Sequence, residues 1–340
     1  MTISLLVLLP FNSANAQKGD SVSDCQNKLI YKTKDIKSPN NDLSYCPFSN
    51  RSLGLSQDMA NLNLDHFTYD DWEIFLVNFE NSSLRYANLS HKRLTGSNFS
   101  RVNLESANLS SVETNWASTT NFDGASFRRA YALGANFFNG SFKDCDFSFA
   151  NFADSEFKNS DISGFFNSTD LTGTDLSQSI FLPGIRSKSI IGTPLLPKDW
   201  QIVGGFLIGP EANLGGQNLA NLDLSSSKLN SSILTNTNLG KTDLYWADLS
   251  GVKSGGVIGN PILPKYWKLV NGYLVGPKSD LTGANLTGGN LKGVSLEGAV
   301  IAGAKLSGAK IDESNHGKSV IGAPKSLPSG WSIYKGKLKH

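Results

Sequence analysis

A leucine or phenylalanine returns every five residues through most of this chain, usually directly behind Asn or Asp, and that spacing admits very few folds. Leu214, Leu219, Leu224, Leu229, Leu234, Leu239, Leu244 and Leu249 keep the register without a break. Leu281, Leu286, Leu291, Leu296, Ile301, Leu306 and Ile311 keep it again. A period of five fits neither the 3.6 of an α-helix nor the 2 of a flat strand. It fits a solenoid, in which a repeat too short to bury its own apolar residue does so by stacking on its neighbours.

The positions around each centre are also restricted. Asn or Asp precedes it (Asn213, Asn218, Asp223, Asn238, Asp243), Ala often stands two before it (Ala212, Ala247, Ala284, Ala304), and Ser, Thr and Gly follow. The segments ANLTG at 284–288, ADLSG at 247–251 and ANLSS at 107–111 resemble the A(D/N)Lxx pattern of the pentapeptide-repeat family. That resemblance implies an all-β fold, a right-handed quadrilateral β-helix with four pentapeptides per square coil, here carrying inserted β-hairpins. The centre and the small residue two before it would point inward, and the other three outward. Physical chemistry agrees: coils about 4.8 Å apart bond through their backbones, and Asn, Asp, Ser and Thr suit corners because their side chains bond nearby backbone groups.

The first array, read as 61–182, is less regular. Phe79 to Leu109 keep register, Val112, Ala117 and Phe122 resume three residues out of phase, and a further shift precedes Phe166, Leu171 and Leu176. Spacings of twenty predict that Phe122 stacks on Phe142, Phe127 on Phe147 and Phe137 on Phe157. Asn61-Leu62 and His66-Phe67 are read as the start of a degenerate first coil, and 70–79 as a short helix or a first strand.

A longer motif interrupts the arrays. IGTPLLPKDWQIVGGFLIGP at 191–210 recurs as IGNPILPKYWKLVNGYLVGP at 258–277, and a worn third copy closes the chain from Ile321 through Trp331 to Leu338. Asn271-Gly272 between apolar residues is a strong hairpin signal, because that pair suits the turn whose twist matches its strands. The chain thus resembles multi-cassette bacterial pentapeptide proteins with this linker. Its organisation reads as a leader at 1–16, a non-repeat segment at 17–60, arrays at 61–182, 212–252 and 280–312, hairpin linkers at 183–211 and 253–279, and a hairpin or cap at 313–340. A cap makes sense because an uncovered coil is an open strand edge. A single tube is the preferred arrangement of the three arrays.

The apolar start, ending Ala14-Asn-Ala16-Gln17, reads as a signal peptide cleaved near Ala16, which places the mature protein in a periplasm, a lumen or outside the cell. Cys25 and Cys46 flank a polar stretch where an oxidising compartment favours a disulfide, with ~3 kcal/mol of unfolded-state entropy removed by closing that loop. Cys145 falls in a small inward slot and reads as a buried thiol, while a pairing that involves it stays open.

Chemistry-bearing motifs are sparse. His66, His91, His316 and His340 are scattered, and there is no HExxH, CxxC or phosphate-cradling glycine loop, so catalytic, metal and cofactor sites are all read as none. With 31 Lys plus Arg against 29 Asp plus Glu, the net charge of +2 argues against nucleic acid or anionic membrane as partner. No apolar run reaches the ~20 residues of a membrane span. Asp223 and Asp243, one coil apart, stack like charges, which means plain tolerance, a raised pKa or a cation between them. Tyr245 and Trp246 follow a centre at outward positions and are the candidate contact; Trp200, Trp267, Tyr273 and Trp331 recur in the hairpins, as packing residues or as repeated ligand contacts.

These features lead to a non-catalytic exported scaffold presenting a rigid surface to an unidentified protein or glycan, of unknown oligomeric state. A glycan-binding surface protein that uses the exposed aromatics is the alternative. The family's DNA mimics, acidic dimers that bind DNA gyrase, are a minor one: this chain has balanced charge, a leader, and Lys228, Lys241, Lys305 and Lys310 within its Asp columns.

Overall fold

The computed structural model describes residues 43–44, 47–48, 58–69, 71–114 and 118–340. The expected leader and the Cys25–Cys46 pair lie outside them. What is described is a β-solenoid built from short parallel rungs, with no α-helix and one 3-10 turn at Glu313–Asn315. Rungs recur at twenty residues, as in Asn63 to Ser83 to Asn103 and Asn213 to Ile233 to Lys253. Four pentapeptides therefore make each coil.

The reason for Asn or Asp before each centre is local. Its Oδ1 accepts the N–H two residues on, at 3.0 Å from Asn238 to Gly240 and 2.8 Å from Asp243 to Tyr245, and this closes the corner. The residue after that N–H then takes a left-handed conformation, as at Asn221 (φ 61°), Lys241 (φ 58°) and Trp246 (φ 67°). In the second and third arrays the centres are buried, apart from Ile311, which is partly buried at the end of its array. Where Ser or Thr replaces Ala in the inward slot, its hydroxyl donates to the carbonyl of the centre one coil below, as Thr242 does to Leu219 (2.8 Å) and Thr174 to Phe152 (2.8 Å). A buried hydroxyl is thereby satisfied, which is why the slot tolerates it.

The phenylalanine columns form as the spacing predicts. Ring centroids are 4.9 Å apart for Phe122 and Phe142, 5.3 Å for Phe127 and Phe147, and 4.9 Å for Phe137 and Phe157. The first column extends further, through Phe99 at 5.1 Å to Phe79 at 4.8 Å. Irregular coils surround it. Asn98 pairs with Asn121, so one coil is three residues longer than the usual twenty. Another coil loses one residue at a bulge where Cys145 faces Gly164.

Two readings of the amino-terminal end need correction. Centres of the first coil are Met59 and Leu64, so Leu62 and Phe67 occupy the inward slot usually held by a small residue. On one side this coil meets, among the described residues, the short strand Pro47–Phe48, which pairs with Thr68–Tyr69, and the buried Leu43, whose N–H bonds the Asn63 carbonyl at 2.7 Å, in place of a full coil that would require Ala in the slot. Nor is 71–79 a helix: Glu73 pairs with Arg93 and Asn78 with Asn98 as ordinary rungs.

Three two-stranded hairpins interrupt the coils, at Gln201–Val203 with Phe206–Ile208, Lys268–Val270 with Tyr273–Val275, and Ser332–Tyr334 with Lys337–Lys339. Both central turn residues have positive φ in each, 49° and 80° at Asn271-Gly272, the geometry that matches strand twist. One backbone ladder passes the first two without a break. Phe165 pairs with Arg186, Asn213 N–H then bonds the Ile185 carbonyl at 2.8 Å, and the ladder continues through Lys253, Asp280, Val300 and Ile321.

The interior, by contrast, is divided. Leu207 belongs to the core of the first array, whereas Phe206 and Ile208 belong to that of the second. Leu274 belongs to the second, Val270 and Val275 to the third. Alternation along a strand sends successive side chains to opposite faces, so each hairpin closes one stack and seats the next. The third hairpin sends Leu338 into the third core and has no stack on its other side. Its outward positions are Tyr334, Lys337 and Lys339, where the earlier copies have Val, an aromatic and Ile or Val.

Candidate functional site

The sequence-selected aromatics fall into two environments. Trp200, Trp267 and Trp331 are half-buried against the stack cores. Trp200 meets Phe181 edge-on at 4.8 Å and spans the first and second cores. In the first two copies the indole lies across Gly209 or Gly276, where an added Cβ would come within 2.2 and 2.1 Å of it. In the third, His340 stands at that place and its ring lies 4.9 Å from Trp331. Tyr273 is half-buried against the third core.

Tyr245 and Trp246 lie on the outside. Trp246 is 72% exposed and Tyr245 48%, and their rings meet edge to face at 4.8 Å. Two other protruding rings have cations over them: Arg93 lies 4.6 Å from Trp72, and Arg128 and Arg129 each 5.6 Å from Phe149. Among the described residues the one ring against Trp246 is that of Tyr245, and no cation lies over it. It also holds a left-handed corner, which a bulky residue occupies at a cost of about 1 kcal/mol or more.

Sequence reading passed over Tyr266, although it stands twenty residues after Trp246 and so occupies the same corner one coil on. It is 53% exposed with φ 70°, and the Lys265 ammonium lies 4.8 Å from its ring centre. A side-chain hydrogen bond to Tyr266, and then the charge of that phenol, raise the Lys265 pKa above the ordinary lysine value. Beyond Tyr266 opens a cleft of about 320 Å³ lined by Tyr266, Gly293, Val294, Ser295, Ser314 and Lys318. Lys268 donates to the Lys292 carbonyl at its edge. On the other side of the same linker, a groove of about 670 Å³ runs from Gly259 to Trp267 and Asn271.

Asp223 and Asp243 do stack, but each carboxylate is occupied at its own corner, by Ser225 N–H at 2.9 Å and Tyr245 N–H at 2.8 Å. The Asp223 pKa is lowered by the Ser225 hydrogen bonds, not raised by its neighbour. Among the described residues, no three His, Cys, Asp or Glu converge as a metal site, and no helix is long and apolar enough to cross a membrane.

Cys145 is fully buried, with its thiol donating to the Phe122 carbonyl at 3.0 Å, and burial pushes its pKa well up. A thiol so placed is inert. Iodoacetamide should leave it unmodified in the folded protein and alkylate it within minutes in denaturant; rapid native labelling, followed by mass spectrometry, would contradict this placement.

Residues 76–112, 134–166, 141–181, 211–244, 218–253 and 279–315 match the family model described as pentapeptide repeats, which is found in eight copies. The coil with the three-residue insertion and both hairpin linkers fall between matches. No curated protein sequence matches the chain. Among solved structures it is similar to QnrB1, a plasmid-mediated fluoroquinolone resistance protein, with 18% identity over 62% of this chain and 92% of that one at TM-score 0.30. It is also similar to HetL, a pentapeptide repeat protein involved in heterocyst differentiation regulation from the cyanobacterium Nostoc sp. strain PCC 7120, with 17% identity over 90% of this chain and 98% of that one at TM-score 0.17. Rfr23, a pentapeptide repeat protein from the cyanobacterium Cyanothece 51142, is 15% identical over 49% of this chain and 99% of its own at TM-score 0.20.

Proposed function

Because this chain belongs to the pentapeptide-repeat family, we propose that it is a non-catalytic binding scaffold, exported after cleavage near Ala16, with Cys25 and Cys46 joined in the mature protein. Its solenoid holds an aromatic contact, Tyr245 with Trp246, out to an extended protein or glycan. The observation that carries this reading is Trp246: among the described residues the most exposed of the large apolar side chains, held on a left-handed corner, with the ring of Tyr245 against it. Rigidity supports it too, since the corner is tied by Ser226 N–H to the Tyr245 carbonyl and by Tyr245 N–H to Asp243, and a contact so held loses little freedom on binding. The charge of the chain weighs against the DNA-mimic alternative, which needs a dense acidic surface.

A photo-crosslinking phenylalanine at position 246 tests the site in intact cells, with one at Gly288 as a control corner. We expect an adduct from position 246 only, on a protein that fractionates with the envelope and whose sequence begins at Gln17. Equal adducts from both positions, or none from 246, would remove the site. A full-length reduced chain in the cytoplasm would remove the export.

A further inference from the structure

The net charge of +2 conceals a division of the chain. Residues 251–340 hold twelve lysines, no arginine and only Asp280, Glu297, Asp312 and Glu313 as acids, a net charge of +8; the preceding 250 residues hold 19 basic and 25 acidic residues, a net charge of −6. In 251–340, which is described throughout, the one lysine with a carboxylate partner is Lys318, 3.6 Å from Glu297. Asp312 is occupied by the Gly293 N–H, and Glu297 also by Ser319. The charge is therefore uncompensated locally, and the whole-chain balance does not describe the surface of this part.

Several of these lysines stand beside the aromatic corner. Lys265 lies on Tyr266, Lys268 reaches Lys292 at the cleft edge, and Lys318 lines the cleft. From this juxtaposition, and resting on the binding-scaffold reading above, we infer that the strip from Tyr245 and Trp246 across Tyr266 to Lys318 binds a linear acidic polysaccharide. The exposed rings of Tyr245, Trp246 and Tyr266 present flat faces to sugar C–H groups. Lysines beside them pair with carboxylates or sulfates. Lysine rather than arginine suits a repeating charge approached from many angles, because an ammonium is a point charge without the fixed fork of a guanidinium. Export would place the strip where acidic glycans, not nucleic acids, are the abundant polyanions.

Affinity electrophoresis through gels containing polygalacturonate, alginate or heparin, with neutral dextran as control, tests this on the full chain. Trp246→Asn/Tyr266→Asn removes the rings while keeping a residue that tolerates the left-handed corner. Lys265→Gln/Lys268→Gln/Lys292→Gln removes the charge, and thermal melts confirm that both variants fold. We expect retardation by at least one acidic glycan and not by dextran, weakened ~10-fold by each variant and ~10-fold between low and 0.5 M salt, as screening of exposed charge requires. Equal retardation by dextran, indifferent to salt and to the glutamines, would overturn the acidic class and leave the aromatic site standing. Retardation lost in the glutamine variant but not in the asparagine variant would reduce the strip to a charge patch. Binding to single-stranded DNA or to phosphatidylglycerol vesicles with no acidic glycan retained would overturn the inference, and binding to none of these while the position-246 adduct persists would assign the corner to a protein.

Discussion

Replacing Gly164 with alanine is expected to destabilise the protein by about 3 kcal/mol or more, from a positive φ that alanine resists and a forced separation of two rungs. At the bulge where one coil loses a residue, Gly164 has φ 124°, and an added Cβ would lie 1.9 Å from the Cys145 carbonyl oxygen. No rotamer relieves a contact between Cβ and backbone. The rungs must part, and the hydrogen bonds around Cys145 go with them. Gly288→Ala is the matched control: its φ is 68° and nothing lies within 4 Å, so only the left-handed cost of about 1–2 kcal/mol applies. Urea melts monitored by circular dichroism give both values. Equal midpoint shifts would mean that the bulge does not depend on the missing side chain.

The double substitution Lys337→Phe/Lys339→Val should make a chain that associates through its last hairpin. At the equivalent places the first hairpin has Phe206 and Ile208, and the second Tyr273 and Val275, all turned toward the following stack. The third hairpin exposes that same side, where Lys337 and Tyr334 are open to water. Apolar residues there would add about 1.5–3 kcal/mol each if buried between two copies, beside a strand edge ready to pair. Light scattering after gel filtration should show concentration-dependent dimers that the unsubstituted chain does not form under the same conditions. A variant with unchanged mass would show that the outward side of the third hairpin is not equivalent to the seats used by the other two. The reverse change, Val275→Lys, buries a charge between stacks and should cost more than about 4 kcal/mol.

Much of the architecture was legible because it is written locally. A side chain at every fifth position can reach only its own coil and the two beside it, so the period alone specifies what stacks on what. Asn and Asp before the centre close the next corner within two residues, and Asn271-Gly272 makes its turn without help from elsewhere. Where that local rule relaxes, the reading failed. Leu62 and Phe67 follow Asn61 and His66 as a centre would, yet they fill the inward slot, because among the described residues the end coil meets a short strand and Leu43 rather than a full coil. Tyr266 was overlooked because the linker around it breaks the repeat, although its distance from Trp246 was the right one.

Tertiary structure decided what the hairpins do and what they bring together. Sequence showed three similar hairpins and left open whether they continue or divide the tube. They do both, because the ladder on one face bypasses them while their alternating side chains belong to different cores. It also decided which lysines matter: their number can be read from a window of residues, but Lys268 meets Lys292 and the Tyr266 cleft only through the return of a hairpin onto the next coil. The period determined the coil, since each repeat answers only to its nearest neighbours. The site depends on contacts between a corner, a linker and a hairpin, which no fixed spacing in the sequence links.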